Sequence, residues 1–302
     1  MSLPLRRALA GLGLSASVVA GLTACGSGSE DSTDVLATFT ILADMTRAVA
    51  GDAVTVTSLT RPGAEVHGYD PTPGDIRAAA EADLVIANGF GLEKWLDKLV
   101  ADSDATRVTA TDGITPVNIE GTDDPNPHAW MSPGLAKVYV DNITTALTER
   151  FPGDADTFRT NASSYKDQLD EVDRTMQDGL SRLPANQRAL QTCEGAFSYL
   201  TREAGMSESY IWPVNSDQEI TPTQIRDAAT FVKDNDVPAV FCESTVEPGP
   251  KEQLIRETGA ADGGTLYVDS LTEEGGDAPT YLDLIRYDTE TIISGLSRGG
   301  RQ

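Results

Sequence analysis

From residue 35 onward the apolar positions of this chain alternate between two rhythms. VLATFTIL (35–42), AVTVTSL (53–59) and ADLVIANG (82–89) are dense in apolar residues or alternate with period two, the spacing of strands. Between them the apolar residues spread to every third or fourth place, which predicts helices running through Ala50 and near 74–81, 91–101 and 133–150. The second half repeats the rhythm, with strands expected at 188–192, 209–214, 238–242 and 265–268 and helices near 196–204, 221–235, 249–258 and 279–296. Strand and helix taken in turn predict parallel sheets covered by helices, and two such runs predict two lobes.

One segment breaks the rhythm. Phe158, Ala162, Tyr165, Leu169, Val172, Met176 and Leu180 form a single apolar stripe on an otherwise polar stretch from about Asp154 to Arg182, and Pro184 stops it. At ~1.5 Å per residue this helix is roughly 40 Å long, too long for an ordinary crossover between strands. The expected fold is therefore α/β: two lobes, each a parallel sheet flanked by helices, joined by one long rigid helix that limits them to small tilts.

The first residues follow another pattern. Arg6 and Arg7 precede an uncharged, mostly apolar run from Ala8 to Ala24, short for a membrane span and right for a signal-peptide core. LTAC at 22–25 resembles a bacterial lipobox, which predicts cleavage before Cys25 and acylation of its sulfur. The Gly/Ser-rich, acidic stretch behind it cannot bury enough surface to fold and reads as a tether. The expected organisation is a signal peptide over 1–24, a lipid-anchored tether over 25–34, an N-terminal lobe over 35–152, a linking helix over 153–183, a C-terminal lobe over 184–297 and a tail over 298–302. The folded part is expected outside the cytoplasm, held to the cell membrane through lipid on Cys25.

Composition narrows the function. The formal net charge is −24, and loss of Arg6 and Arg7 with the signal makes it more negative still. Such a surface repels nucleic acid and gathers cations only non-specifically, so a nucleic-acid partner is excluded. Of three cysteines, Cys25 is assigned to lipid, and the remaining Cys193 and Cys242 are expected to pair in an oxidising compartment. NIT (142–144) and NAS (161–163) match glycosylation acceptors but fall in expected helices of a chain with a bacterial lipobox, and are discounted.

Only two histidines occur in 302 residues, His67 in EVHGYDPTPGD (65–75) and His128 in DDPNPHAW (123–130). Both stand in loops rich in proline and aspartate. A neutral imidazole on a loop held by prolines is a candidate metal ligand, whereas a surface histidine without a role is the plainer alternative for either one alone.

HGYDPTPGD and NPHAW resemble the two N-terminal metal motifs of the metal-specific (manganese, zinc or iron) solute-binding lipoproteins that serve ABC importers. EGAFSYLTREAG (194–205), YIWPVNSDQEITPTQI (210–225), FCESTVEP (241–248) and VDSLTEEGGDAPTYLDLIRYDTETI (268–292) are similar to the same family's C-terminal lobe, in the right order. The resemblance implies four metal ligands, two per lobe, meeting in the cleft between the lobes: His67, His128, Glu194 and Asp269. Glu194 and Asp269 follow expected strands, so they lie at the carboxyl edge of a parallel sheet, where open α/β sheets bind ligands. On composition alone they are two of 47 acids. Asp70 and Ser132 depart from residues common in the family, a Glu and an Asp, which puts the orientation of the imidazoles in question.

Two nitrogens and two carboxylates offer five or six contacts if the carboxylates bind through both oxygens, which suits Mn²⁺ or Fe²⁺ better than a tetrahedral zinc cage. Zinc carriers of that family typically have a third histidine and often a His-rich loop; here Glu194 stands at the third position. The expectation is a monomeric carrier of Mn²⁺, with Fe²⁺ second and Zn²⁺ as a further alternative, delivering to an ABC permease and its ATPase subunit. Two alternatives of other classes are a surface adhesin and a non-haem metal enzyme. Catalysis needs an open coordination position, and the chain has no H-E-x-x-H, G-x-S-x-G or P-loop; GFGLEK (89–94) reads as a turn. The expected disulfide, next to Glu194, is either a staple or a redox-sensitive element of the site. As loop residues, His67 and His128 are expected to be replaceable by alanine with little loss of fold, and metal affinity is expected to fall with pH near ~6.5.

Overall fold

The structure, a computed structural model, describes residues 34–101, 103–214 and 220–297. The signal segment, Cys25, the tether as far as residue 33 and the tail from 298 lie outside the described residues. In the first lobe β1 (Val35–Ala37), β2 (Val56–Ser58), β3 (Leu84–Ala87) and β4 (Thr106–Thr109) form one sheet in the order β2-β1-β3-β4, every pair parallel. In the second, β5 (Ala189–Glu194) pairs with β6 (Ser207–Trp212) and β7 (Ala239–Glu243) with β8 (Ala261–Leu266), again parallel. These two ladders lie side by side with β5 next to β7, and among the described residues no strand pairing joins them. The Cys193–Cys242 disulfide crosses that seam, its Cα atoms 4.9 Å apart.

The helices are α1 (Thr40–Ala50), α2 (Pro73–Glu81), α3 (Leu96–Leu99), α4 (Pro133–Arg150), α5 (Ala155–Ser181), α6 (Ser198–Ala204), α7 (Pro222–Asp234), α8 (Gly249–Thr258) and α9 (Tyr281–Ser297). Three of their starts carry caps written in the sequence. Thr72 with Asp75, and Thr221 with Gln224, make reciprocal capping boxes in front of Pro73 and Pro222, and the Ser132 hydroxyl accepts the Leu135 N–H in front of Pro133. The seven stripe residues of α5 are all buried. The larger of them each contribute about 1.5–3 kcal/mol by burial, so packing rather than helix propensity holds this element. It lies against α1 and α4 of the first lobe and α6 and α9 of the second, and one apolar core runs through it from β1 and β3 to β5, β7 and α9. The close crossing of α9 depends on Gly179, where a methyl group would run into the Ile293 side chain.

The architecture is the expected two-lobed α/β fold with one long helix, but several elements differ. The strand expected over 35–42 ends at Ala37, and Ile41 and Leu42 begin α1, because a short apolar run has no period that distinguishes strand from buried helix. The helix expected over 91–101 shrinks to Leu96–Leu99, since Gly89, Phe90 and Gly91 all have positive φ and spend the segment turning. The edge strand β4, TRVT, is partly exposed along its whole length and gave no apolar signal. The strand expected at 265–268 is Ala261–Leu266: Gly263 lies under the Phe241 ring, and two glycines in succession mask the pattern.

Candidate metal centre

His67 lies on the loop between β2 and α2. Its motif is mostly local scaffolding. Tyr69 donates to the Asp75 carboxylate (2.8 Å) and sets its ring edge-on to Trp95, so the α2 cap is tied to the loop that carries the imidazole. The Glu65 carboxylate accepts the His67 main-chain N–H at 2.9 Å.

His128 precedes a single 3-10 turn, Ala129–Met131, that leads into α4. Asn126 accepts both its main-chain N–H (3.1 Å) and its Nδ1–H (2.8 Å) through Oδ1. The amide is oriented by its other end, which donates to Gly195 O at 2.6 Å in the second lobe. With Nδ1 protonated, the neutral ring presents the lone pair of Nε2. Asn126 thus ties the loop of His128 to the residue after Glu194.

Glu194 is the last residue of β5 and fully buried. Gly195 after it is obligatory for space: a Cβ would lie 2.6 Å from Pro213 O. Asp269 follows β8 by three residues rather than one and is also fully buried. Cross-lobe bonds flank it: Trp130 Nε1–H donates to Val268 O (3.0 Å), Gly63 N–H to the Ser270 hydroxyl (2.7 Å), and Leu271 N–H to the Thr40 hydroxyl (3.0 Å).

The structure therefore brings together all four side chains named from the sequence. His67 Nε2 is 3.1 Å from His128 Nε2, 3.7 Å from Glu194 Oε1 and 3.6 Å from Asp269 Oδ1; His128 Nε2 is 3.5 Å from each carboxylate oxygen. A tetrahedron with edges of about 3.5 Å has its centre ~2.1 Å from each corner, the bond length of a first-row divalent ion to nitrogen or oxygen. The five separations fit such an ion, and all four donor atoms lie within 4.8 Å of one another.

Electrostatics distinguish the members. Burial pushes His128 down to about 4, outweighing the pull of the Asp269 carboxylate on its protonated form. Burial acts the same way on His67, but the hydrogen bond to and charge of Asp269, with the charges of Glu65 and Glu93, outweigh it and raise this imidazole above its ordinary value. Asp269, which burial alone would raise, is held far below the usual carboxylate range by the two imidazoles. Of the two rings His67 is the easier to protonate and His128 the harder.

Asp70 is exposed, and Ser132 caps α4 and donates to Glu203 (2.7 Å); Asn126 fixes the His128 ring instead. The sequence reading missed Asn126, although it stands inside NPHAW. It also missed Glu65, two places before His67, and two buried acids. Glu93 accepts the N–H groups of Asn88 and Gly89 (2.7 and 3.2 Å) and the Thr38 hydroxyl (2.7 Å). Glu243, which burial pushes up to about 8, accepts the Glu194 N–H (3.1 Å). No spacing marks either acid. The two cysteines expected to pair do so, and with Glu243 they form a second group of close donor atoms. Among the described residues no helix is long and apolar enough to cross a membrane.

Two parallel α/β lobes bridged by a single long helix, with donors from both lobes facing one another, define a solute-binding protein of the rigid-helix kind. The sequence profile of one family, ZnuA, described as the periplasmic component A of a zinc-uptake complex, matches residues 35–295, and the chain belongs to that family. Its members are substrate-binding components of transporters, not enzymes. The iron-binding protein YfeA of Yersinia pestis is 45% identical over 268 residues, covering 87% of this chain and 86% of its own length. The manganese ABC transporter substrate-binding lipoprotein PsaA of Streptococcus anginosus is 31% identical over 296 residues, 93% of this chain and 96% of its own. Among solved structures, the Mn-bound periplasmic metal binding protein from Candidatus Liberibacter asiaticus superposes with a TM-score of 0.83 at 36% identity, over 87% of this chain and 98% of that one.

Proposed function

We propose that this protein captures a divalent transition metal, Mn²⁺ before Fe²⁺, between His67, His128, Glu194 and Asp269, and delivers it to an ABC permease driven by an ATPase subunit. The observation that carries the reading is the set of five donor–donor separations between 3.1 and 3.7 Å, which leaves room for one ion at bonding distance from all four. Two carboxylates that can each bind through one or both oxygens favour the higher coordination of Mn²⁺ and Fe²⁺ over a closed zinc tetrahedron. Iron is retained as the second reading because YfeA, 45% identical, is named for iron, while PsaA, 31% identical, is named for manganese.

The ion joins donors from both lobes, and cross-lobe hydrogen bonds stand one or two residues from three of them, at Asn126–Gly195, Trp130–Val268 and Ser270–Gly63. Metal capture therefore favours the closed form, which a permease can distinguish from the metal-free one. Release requires those bonds and the metal bonds to yield together. The carrier works as a monomer outside the cytoplasm, tethered by lipid on Cys25.

The test is elemental analysis of protein purified without added metal, followed by anaerobic competition among Mn²⁺, Fe²⁺ and Zn²⁺. One equivalent of manganese or iron, lost in His67→Ala and Asp269→Ala, is expected. No bound metal and no saturable uptake of any of the three would end the proposal.

A further inference from the structure

Glu194 and Glu243 end neighbouring strands, each one residue beyond a cysteine of the Cys193–Cys242 disulfide. On the β6 side of β5, the Gly195 N–H goes to Trp212 O at 3.0 Å. Successive main-chain groups of a strand point to opposite sides, so the Glu194 N–H points the other way, across the seam toward β7. There its acceptor is a side chain, Glu243 Oε2 at 3.1 Å. The carbonyl of the same Glu194 residue accepts from the Thr192 hydroxyl at 2.6 Å. Both halves of the Glu194 backbone are thus held by side chains, and the residue that reaches across from the other ladder is 2% exposed.

We propose that Glu243 is a positioning residue of the metal site: by accepting the Glu194 main-chain N–H across the seam between β5 and β7, it fixes where the Glu194 carboxylate is presented and so sets metal affinity. The disulfide holds the seam one residue earlier, and Glu243 sets the position at the strand end. This inference rests on the reading that Glu194 is a metal donor.

Glu243→Gln, Glu243→Leu and Glu243→Asp are compared with Glu194→Ala and the unaltered protein, by Mn²⁺ competition against a chelating dye and by the electron paramagnetic resonance spectrum of bound Mn²⁺. Glu243→Leu, which removes the acceptor, is expected to weaken Mn²⁺ binding about 10- to 100-fold and to change the spectrum, the usual cost of losing a residue that orients a ligand. Glu243→Gln keeps an acceptor oxygen at the same reach and is expected to restore affinity to within a few-fold. Glu243→Asp keeps the carboxylate, draws it back by one methylene and is expected to bind weakly, which preserves the test if the leucine variant does not fold. Unchanged affinity in Glu243→Asp, or a glutamine variant as weak as the leucine one, overturns the inference. If Glu194→Ala binds Mn²⁺ as tightly as the unaltered protein, the donor assignment itself falls, and the inference with it.

Discussion

The two lobes hold their candidate donors by different means. In the N-terminal lobe four strands share one continuous parallel sheet, yet neither histidine lies on it: His67 and His128 stand on loops. Their support is a network of side chains. Glu93 binds the ends of β1 and β3, Asn88 donates on to Pro127 O (3.0 Å) and accepts from the Tyr139 hydroxyl (2.7 Å), and Asn126 orients the ring of His128. In the C-terminal lobe Glu194 lies on a strand end and Asp269 just beyond one, but the sheet is interrupted beside β5. There a covalent bond and one carboxyl group close the gap. Donors on loops need polar networks to fix them, whereas a donor on a strand end inherits its position from the sheet and needs the sheet to be closed.

The largest effect is expected from opening that gap. Replacing both cysteines, as Cys193→Ala with Cys242→Ala, frees a loop of 49 residues in the unfolded chain. On the chain-entropy account this costs on the order of 4 kcal/mol, a fall in Tm of roughly 10 °C. Amide exchange should quicken in β5 to β8 and stay unchanged in β1 to β4. An unaltered melting temperature, or faster exchange in both sheets alike, would contradict the division of labour between the lobes.

Next come the donors. His67→Ala and His128→Ala are each expected to weaken Mn²⁺ binding by at least about 100-fold, since losing a ligand exceeds the usual cost of losing its supporting partner. Their stabilities should differ. The His67 side chain is 11% exposed and His128 is fully buried, so His128→Ala leaves the more enclosed cavity and also strips a hydrogen bond from Asn126, costing about 2–3 kcal/mol in thermal melts of the metal-free protein. Burial thus argues for the sequence expectation of little loss of fold at His67 and against it at His128, and the melts decide.

That contrast marks what the sequence could tell. Lobes, layers and the long helix were legible because periodicity is local: the α5 stripe and its stop at Pro184 need no knowledge of the rest of the chain. The histidines were legible because they are rare and sit in recognisable loops. Glu194 and Asp269 came only from resemblance, since a carboxylate among 47 acids has no local mark. Burial of the polar side chains was not legible. A loop surrounded by prolines and aspartates looks exposed, yet His128 is covered by Trp130 and by the second lobe, more than 60 residues away in sequence. Glu93 and Glu243 act on main-chain N–H groups at strand ends, and which ends those are depends on the fold being complete.

A smaller effect tests the network of the first lobe. Asn126→Ala removes the acceptor for His128 Nδ1–H and the cross-lobe bond to Gly195 O together, and is expected to lower Mn²⁺ affinity about 10- to 100-fold. Asn126→Asp retains the acceptor and loses the donor, so its affinity should fall between the two. Equal losses in both variants would assign the whole effect to the contact between the lobes, and none to the orientation of the ring.

The smallest effect, about tenfold per pH unit, separates the two histidines themselves. Metal must displace any proton from its ligands, so affinity falls where the metal-free site is protonated. His67 is raised from the ordinary 6.5 and His128 lowered to about 4, so acidification protonates His67 first and His128 only near pH 4. The logarithm of the Mn²⁺ association constant should therefore fall with a slope of one between pH 6 and pH 5, with about one proton released per ion when binding is followed calorimetrically in two buffers of different ionisation enthalpy. Two ordinary imidazoles would give a slope approaching two over the same interval. The metal-free fold obeys the matching signs: the raised His67 stabilises it below the unfolded value of 6.5, a contribution lost as pH rises through the folded value, while the lowered His128 costs stability as pH falls from 6.5 toward 4. In His67→Ala the first proton has no place to bind, and the slope between pH 6 and pH 5 should flatten. A slope of two in the unaltered protein would mean that the buried ring of His128 accepts a proton as readily as the one at the rim.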